Sequence, residues 1–461
     1  MKQHNIYIEV VSPVAVTTGE VLSPIADYVV NGSKINLIDK DEFENILSSD
    51  EKLMEKYLDS VLDTAQKAKH DTLKKVLGDK LPKCYHDISI ENLIGQNNPV
   101  NLKTIVKNQA YQPYLPGSSI KGAIKFALLV HWLGTKDTGK EMLITLIEEI
   151  DDQSDEKKIS EQYEKIEKSL FGDVNSNAKP DASLIRVSDS KPYESKAIGV
   201  ISLKRKHLKD AKNSFDNFQQ TECILPTFQS SLKIDVTPEF THPDLGTLNK
   251  EDWLKTLFKQ INYTSLMILK GEKNIIETNK SEFDKEKNDS NTNASQDIIH
   301  FYETLISDIA QRKNNIAYLP LGFGKTFFHI SLGLLIKKSD PKKFENLVRK
   351  FSLGEKRQKF FPITRNITII EGKAYPLGWI KLKKELNTGY TEEDIKSGEP
   401  IEAIFLKLSK PTSIVMIKID NEEKEFPVSG TKNYSKQYPK KLQPGKKCTV
   451  YWRDNHLNFN K

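Results

Sequence analysis

The sequence predicts an α+β protein made of two related α+β units, followed by a small β-rich appendage at the C-terminus. In the first half, Tyr114-Leu115-Pro116 stands five residues before Lys121. In the second half, Tyr318-Leu319-Pro320 stands at the same distance from Lys325, so the two segments match at one constant offset. Both halves also share the order of strand, glycine-containing loop, lysine and apolar helix, which indicates a structural duplication.

The predicted units span residues 1–240 and 241–400, and the appendage spans residues 401–461. Within the second unit, residues 271–297 are rich in charged and small polar side chains, so we expect a mobile surface insertion there. From about residue 402, short apolar runs between Gly and Pro residues predict four strands of a small barrel or sandwich.

The first half begins with a strand, a hairpin and a helix. Alternating apolar residues from Ile6 to Val10 predict a half-buried strand. Residues 28–38 around Asn31-Gly32 predict a hairpin with a type I′ turn. Asp39, with a glutamate three residues on, forms a capping box that begins a helical region, and this region continues with breaks to about residue 77.

The segment after Pro116 predicts a helix with an unusual start. Ser118 and Ser119 precede an apolar stripe with helical spacing that runs from Ile120 to His131. The rest of the first half is predicted to contain a charged helical region at residues 136–168 and strands at residues 184–190, 198–203, 222–225 and 231–236. In the second half, residues 327–336 predict an apolar helix after the glycine-containing loop.

A helix start of this composition favours a phosphate ligand, because free backbone N–H groups and the helix dipole both attract anions. Lys121 adds a cation, and Lys125 lies one turn further along the same flank. Gly122 costs about 1 kcal/mol of helix stability relative to Ala, which makes sense where a ligand must approach the helix closely. The alternative is an N-cap serine followed by a solvated lysine.

Two other segments are candidate ligand contacts. Gly324-Lys325-Thr326 ends like a phosphate-binding loop, but the earlier glycine of that motif is replaced by Leu319, which disfavours an NTPase. Gly322 and Gly324 predict either a loop that a ligand approaches closely or a tight turn. The densest basic cluster, at residues 204–209, predicts either a nucleic-acid contact or a solvated edge.

Composition excludes several other classes. The formal net charge of +6 is a modest excess and carries little weight alone. The three cysteines have no zinc-finger or disulfide spacing, and the nine histidines follow no metal-ligand motif, so we expect neither a metal nor a cofactor. The N-terminus leads directly into a strand and the longest apolar run is short, so we expect no signal peptide, no membrane span and a cytoplasmic protein.

The motifs occur in a recognisable order. Besides the Pro116–Ala123 run, the segments are Ser12-Pro13-Val14, Asp27-Tyr28-Val29, Ile38-Asp39, Leu170-Phe171-Gly172, Val187-Ser188-Asp189-Ser190, Gly322-Phe323-Gly324, Phe361-Pro362-Ile363-Thr364-Arg365 and Pro376-Leu377-Gly378-Trp379. The first run resembles the motif of the RAMP proteins of type III CRISPR effector complexes. The ordered set, over about residues 1–385, resembles the fifth-subunit family of type III-A Csm complexes, which caps the crRNA filament at the 3′ end of the guide. One departure is Ala15, where the opening loop of the family usually has a histidine.

The resemblance implies two ferredoxin-like (RRM-like) units and a non-catalytic role in binding crRNA. It also implies packing against the neighbouring RAMP backbone subunits, with host ribonucleases as further partners in 3′ trimming. By position it implies phosphate contacts at Ser118 to Gly122, a second-half glycine loop at Gly322 and Gly324, and a nearby nucleotide-separating hairpin at residues 204–209. The candidate RNA-binding residues are Ser118, Ser119, Lys121, Gly122, Lys125, Lys204, Arg205, Lys206, Gly322, Gly324 and Lys325.

Two alternatives stay open at this point. One is a RAMP-type, metal-independent endoribonuclease that processes precursor crRNA, for which His131 or His329 beside Lys325 would be the candidate catalytic groups. The other is an RNA-binding protein outside CRISPR, which would carry stacking aromatics on a strand. The sequence contains no such aromatic-rich strand.

Overall fold

The computed structural model of the protein describes residues 2–62, 72–94, 101–150, 155–173, 180–285, 293–312, 315–354, 361–384, 401–409, 412–419, 422–429, 447–453 and 456–459. The chain divides into two compact units, Met1–Lys384 and Glu385–Lys461. The helices are α1 (Lys40–Ser48), α2 (Glu51–Leu62), α3 (Thr72–Leu77), α4 (Gly117–Thr135), α5 (Asp137–Glu148), α6 (Glu156–Phe171), α7 (Trp253–Thr278), α8 (Lys280–Asp284), α9 (Ala294–Arg312), α10 (Gly333–Ser339) and α11 (Pro341–Lys350).

The strands of the first unit alternate with these helices along the chain. They are β1 (Lys2–Val10), β2 (Thr17–Leu22), β3 (Tyr28–Asn31), β4 (Lys34–Ile38), β5 (Tyr85–Ile90), β6 (Asn92–Ile94), β7 (Leu102–Ile105), β8 (Ile185–Val187), β9 (Ile198–His207), β10 (Phe215–Ile224), β11 (Gln229–Val236), β12 (Ile316–Pro320), β13 (Thr364–Ile370), β14 (Lys373–Pro376) and β15 (Trp379–Lys384). The predicted α+β class with ferredoxin-like units is confirmed.

The two halves of the first unit share their sheets. In the described part of the chain, one sheet has the strand order β12-β15-β1-β11-β8 and another has the order β14-β13-β9-β10-β7-β2, with β6 beside β9. Strand β1 pairs antiparallel with β11 of the first half and with β15 of the second half. The alternation that predicted β1 is visible in its burial, since Ile6, Ile8 and Val10 are all fully buried. The predicted boundary at residue 240 stays a prediction; strands from both sides of it lie in the same two sheets, those of the second half together at one end of each.

Local signals in the first half are reproduced. Strands β3 and β4 form the predicted hairpin, but its two loop residues are Gly32 and Ser33. Gly32 has a φ of 61° and Ser33 has no positive φ, so the predicted type I′ turn is wrong and the pattern is that of a type II′ turn. The Asp39 carboxylate accepts a hydrogen bond from the backbone N–H of Glu42 at 3.1 Å and so caps α1.

Two predictions in the second half are wrong. Of the segment predicted as a mobile insertion, residues 271–285 and 293–297 belong mostly to α7, α8 and α9, with Glu272, Ile276 and Phe283 buried, while residues 286–292 lie outside the described residues. The apolar helix predicted for residues 327–336 is also interrupted. Phe327–His329 form one short 3₁₀ turn, and α10 begins only at Gly333.

Helix α7 links the second half to the site region. The side-chain amide of Asn262 donates to the Ile316 carbonyl at 2.7 Å and its oxygen accepts from the Tyr318 N–H at 3.2 Å, so one residue holds α7 against β12. The Thr264 hydroxyl donates to the Ala127 carbonyl at 2.8 Å and holds α7 against α4. These buried polar groups are satisfied by each other, as burial requires.

The second unit is a closed barrel with the strand order β16-β17-β18-β20-β19. Its strands are β16 (Ile401–Ser409), β17 (Thr412–Ile419), β18 (Glu422–Ser429), β19 (Lys447–Arg453) and β20 (His456–Asn458). The four predicted strands correspond to β16 through β19, and the barrel is one of the two architectures that the sequence left open. Strand β20 was not predicted, because it is only three residues long.

Candidate nucleic-acid interface

The two matching motifs meet at one cavity. This cavity has a volume of about 380 Å³ and lies between α4, α7, β12 and the glycine loop, which we define as residues 321–326. The first motif contributes Ser119 and Gly122 to its wall, and the second contributes Gly322 and Lys325. The remaining lining residues are Ala123, Phe126, Ala127, Thr264, Ser265, Ile268, Leu319, Pro320, Leu321, His329 and Ile330.

The N-terminus of α4 differs from the prediction of free backbone N–H groups. The Gly117 N–H donates to the Asp189 carboxylate at 2.7 Å, and the N–H groups of Ser119 and Ile120 donate to the Pro116 carbonyl at 3.1 and 3.2 Å. Asp189 therefore already supplies the anion that a helix start attracts. The predicted nest of free N–H groups is a wrong expectation, because a distant loop covers the helix start.

Gly117 explains how that loop comes so close. A Cβ atom at this position would lie 2.3 Å from the Val187 carbonyl oxygen, so the chain itself needs a glycine here. The surface that remains open lies further along the helix. Ser118 and Gly122 are exposed, Ser119 and Lys121 are half-buried, and a Cβ at Gly122 would meet no atom within 4 Å.

The two motif lysines on α4 have different surroundings. The Lys125 ammonium pairs with the Glu167 carboxylate at 3.0 Å and lies 5.1 Å from the centre of the Phe171 ring. Lys121 has no hydrogen bond or ion pair with any residue that the structure describes. Burial, and then the nearby charges of Lys125 and Arg186, lower the pKa of Lys121. Of these two lysines, Lys121 is therefore the one whose charge a ligand would neutralise.

The glycines of the glycine loop are required by the fold. Gly322 has a φ of 81°, and a Cβ there would lie 2.4 Å from the Ala15 carbonyl oxygen. Gly324 has a φ of 85°, and its Cβ would lie 2.9 Å from a methyl group of Leu377. The neighbouring Phe323 N–H donates to the Ala15 carbonyl at 2.6 Å. Tight packing therefore accounts for both glycines, and Ala15 is fully buried beneath the loop.

Lys325 and His329 bring polar groups to the cavity wall. Lys325 is half-buried and has no hydrogen bond or ion pair among the described residues, and burial lowers its pKa. His329 is 4% exposed, and its Nδ1 accepts the Thr326 N–H at 3.0 Å. Burial lowers the pKa of His329 to about 4, so the ring is neutral at pH 7. The Thr326 hydroxyl oxygen also lies 2.6 Å from Nδ1, and because Nδ1 accepts the Thr326 N–H we assign the ring proton to Nε2. This Nε2–H has no partner among the described residues.

A buried charged network holds the glycine loop from below. The Thr326 hydroxyl donates to one oxygen of the Glu272 carboxylate at 2.9 Å, and the Arg365 guanidinium donates to the other. Glu272 is fully buried and Arg365 is 3% exposed. The Arg365 guanidinium also donates to the carbonyls of Pro362 and Thr364 at 3.1 and 2.9 Å. The network ties α7, the glycine loop and β13 together.

Glu272 was not predicted as a site residue, because it lies in the segment predicted as mobile. Helical spacing would have predicted that Glu272 lies on the buried face of α7. Leu257, Ile261, Ile268 and Ile276 are buried on α7, and Glu272 stands one turn after Ile268 on the same face. A carboxylate on an apolar stripe needs a buried cation, and Arg365 is that cation.

The basic cluster of residues 204–209 does not line the cavity. Lys204, Arg205 and Lys206 lie on β9, which pairs with β10 on one side and with β13 on the other. Lys206 is 1% exposed, and its ammonium donates to the Lys285 carbonyl at 3.4 Å. The expectation of an RNA contact at Lys206 conflicts with this burial, which arises because β9 runs on as an interior strand beneath α8. Lys204 and Arg205 are half-buried on the same strand.

The other candidate catalytic histidine lies outside the cavity wall. His131 is half-buried on α4, its ring meets the Tyr263 ring edge-on at 5.3 Å, and burial lowers its pKa to about 4. Within the described ranges, no group of three or more His, Cys, Asp or Glu side chains could hold a metal ion. In those same ranges no helix is both long and apolar enough to cross a membrane.

Comparison with known proteins gives consistent matches. The model of the RAMP superfamily matches residues 7–361. The CRISPR system Cms protein Csm5 of Methanocaldococcus jannaschii is 27% identical over 399 residues, which cover 81% of this chain and 87% of that protein.

Two solved structures share the fold. A chain in the cryo-EM structure of a Csm–crRNA–target RNA ternary complex of a type III-A CRISPR-Cas system has a TM-score of 0.59 at 20% identity, covering 83% of this chain and 100% of that chain. The crystal structure of T. onnurineus Csm5 has a TM-score of 0.54 at 19% identity, covering 81% of this chain and 99% of that chain.

Proposed function

The chain belongs to the RAMP superfamily, and we propose that it is the crRNA-binding subunit that caps the backbone filament of a type III-A Csm complex at the 3′ end of the guide. In this role it binds crRNA and the neighbouring RAMP backbone subunit in the cytoplasm and contributes to crRNA maturation without cleaving RNA itself. Similarity to Csm5 over most of both chains supports the assignment to this complex.

One observation carries the RNA-binding part of the proposal. The two matching motifs, which lie in opposite halves of the chain, contribute Ser119, Gly122 and Lys325 to one cavity. On the same helix, Ser118 is exposed and Lys121 is an unpaired cation among the described residues. Hydroxyl groups and lysines of this kind bind phosphate oxygens and position a nucleic acid without reading its sequence.

The mechanism uses side chains rather than the helix N-terminus. Since Asp189 occupies the Gly117 N–H, the phosphates of the guide contact the Ser118 and Ser119 hydroxyls and the Lys121 ammonium. The open surface at Gly122 lets the backbone of the RNA approach α4. Lys125 contributes less, because Glu167 already neutralises it.

Lys121→Ala in the assembled complex tests this proposal. Each phosphate neutralised on a single strand contributes about 0.7 to the slope of log K against log salt, so the variant should lower the slope by about that amount. Guide retention should fall equally for all sequences. Lys157→Ala, at a lysine that is 79% exposed on α6, is the control for loss of one positive charge. An unchanged slope and unchanged guide occupancy in Lys121→Ala would refute the proposed contact.

The capping role has its own test. If the subunit protects the 3′ end of the guide, crRNA from cells that lack it should differ in length from crRNA of the complete complex. Sequencing of the guides from both complexes measures this, and identical length distributions would contradict a role in maturation, including the recruitment of host ribonucleases for trimming.

The endoribonuclease alternative is also open to experiment. We expect no cleavage of precursor repeat RNA in the absence of metal, because His329 is buried with its Nδ1 engaged by Thr326 and His131 lies outside the cavity. Cleavage that is lost in His329→Asn would overturn the non-catalytic assignment.

A further inference from the structure

The cavity between the two motifs has a lining unlike that of a phosphate site. Most of its wall is apolar, from Ala123 and Phe126 on α4 to Ile268 on α7 and Leu319 and Leu321 at the end of β12. A phosphate that entered such a wall would lose most of its water, and burial of a charged group in apolar surroundings is costly. At about 380 Å³, the cavity is within the range of small-molecule pockets.

Three polar groups of the wall are engaged within the protein. The hydroxyls of Thr264 and Ser265 donate to backbone carbonyls of α4 and β12, at 2.8 and 2.5 Å. His329 Nδ1 accepts a hydrogen bond from the Thr326 N–H. Three groups remain: the Ser119 hydroxyl, which can donate or accept and is the proposed phosphate contact, and the Lys325 ammonium and the His329 Nε2–H, which can only donate.

From this lining we propose that the cavity admits one unstacked base of the bound RNA and prefers keto bases, uracil and guanine, over amino bases, cytosine and adenine. The inference rests on the proposed function, since the same α4 surface would hold the neighbouring phosphates. The carbonyl oxygen of a keto base accepts from the Lys325 ammonium, whereas the amino group at the same place on cytosine or adenine presents a donor to this donor. Phe126 is the aromatic residue among those that line the cavity, and aromatic side chains stack on bases.

The position of the donors makes the preference specific. His329 Nε2 is a buried donor without a partner in the described part of the chain, which costs stability unless a ligand supplies an acceptor. The opening at Gly122 provides an entrance, because no atom lies within 4 Å of the place that a Cβ would take. A base can therefore reach the interior while its phosphates stay at the exposed surface near Ser118.

Short oligonucleotides of equal charge test the inference with the full chain. The probes are fluorescein-labelled hexacytidylate and variants of it that carry one uridine, one guanosine, one adenosine or one abasic residue. Fluorescence anisotropy should show the uridine and guanosine probes binding about fivefold more tightly than hexacytidylate, the value of one hydrogen bond. The adenosine and abasic probes should not exceed hexacytidylate.

Two variants assign the preference to the cavity. Ala123→Leu fills the space without changing charge at a helix position that favours leucine, and Lys325→Met removes a donor. Both should abolish the keto preference, and Ala123→Leu, which keeps every charge, should also keep the affinity for hexacytidylate. Ala310→Leu, at an exposed alanine of α9 outside the cavity, is the matched control and should keep the preference.

The outcomes separate this inference from the proposed function. If wild-type protein binds all probes equally, or if the keto preference survives in Ala123→Leu, the base pocket is wrong while a Lys121-dependent salt slope still supports phosphate binding. If Lys121→Ala weakens every probe equally and keeps the keto preference, both stand. If the chain binds none of the probes, both the RNA-binding function and the base pocket are refuted.

Discussion

The buried ion pair between Glu272 and Arg365 allows a quantitative prediction about the site. Glu272→Gln removes one charge and keeps the size of the side chain, so Arg365 stays charged in a position that is only 3% exposed. Breaking a buried pair in this way costs about 3–5 kcal/mol, because the remaining charge has no partner. The Thr326 hydroxyl can still donate to the side-chain oxygen of glutamine, so the loss is mainly electrostatic.

A double variant isolates that electrostatic part. In Glu272→Leu with Arg365→Met, no charge is left unpaired, so the cost falls to about 2 kcal/mol for the hydrogen bonds lost by Thr326 and by the carbonyls that Arg365 contacts. Glu277→Gln on the same helix is the control. Its partner Lys273 is 26% exposed, and such a pair contributes at most about 1 kcal/mol.

Urea denaturation followed by tryptophan fluorescence measures these free energies of unfolding. Trp379 is fully buried with its ring 5.6 Å from the His329 ring, so it reports on the region that the network holds. A single-variant cost below about 1 kcal/mol, or a double variant that loses the sum of both single effects, would show that the network does not act as a buried ion pair.

The remaining predictions concern pH and the glycines. The pKa of His329 falls from 6.5 to about 4 on folding, so the unfolded chain binds the proton at higher pH than the folded chain does. The contribution of neutral His329 to the free energy of unfolding is therefore complete above pH 6.5 and falls by about 1.4 kcal/mol per pH unit down to pH 4. This pH dependence should be absent from urea titrations of His329→Asn. A pH profile identical to wild type would refute this. Gly322→Ala should destabilise the fold by about 1–3 kcal/mol, because its φ is 81° and the added Cβ meets the Ala15 carbonyl. Gly122→Ala should instead raise stability by up to about 1 kcal/mol and weaken RNA binding, since the space it fills is open; tighter RNA binding would contradict the proposed approach of the guide.

Patterns among residues close in sequence were sufficient to predict most helices and strands of this chain. The alternation of Ile6 to Val10 and the Asp39 cap each predicted the structure that forms there, and Asn31-Gly32 predicted the hairpin although not its turn type. These features depend on neighbours within a few residues. The same holds for the apolar runs that predicted four strands of the C-terminal barrel.

Predictions that depended on distant neighbours failed or stayed open. The start of α4 was predicted to have free N–H groups, but Asp189, 72 residues away, occupies the first of them. Lys206 was expected to be a surface cation. It is buried instead, because β13 from the second half pairs with its strand. The glycine loop was ambiguous between a turn and a ligand contact, and packing against Ala15 shows that the fold needs the glycines.

The sequence by itself determined the α+β class, the resemblance to the RAMP family and the two motifs that match at a constant offset. Only the tertiary structure decided that these motifs share one cavity, that Lys121 is unpaired among the described residues while Lys125 is paired, and that Glu272 and Arg365 support the loop between them. The physical reason is the distance in sequence over which each interaction acts. Helix caps, turns and alternation are set by residues close in sequence, whereas burial and charge pairing depend on which distant segments the sheets and α7 bring together.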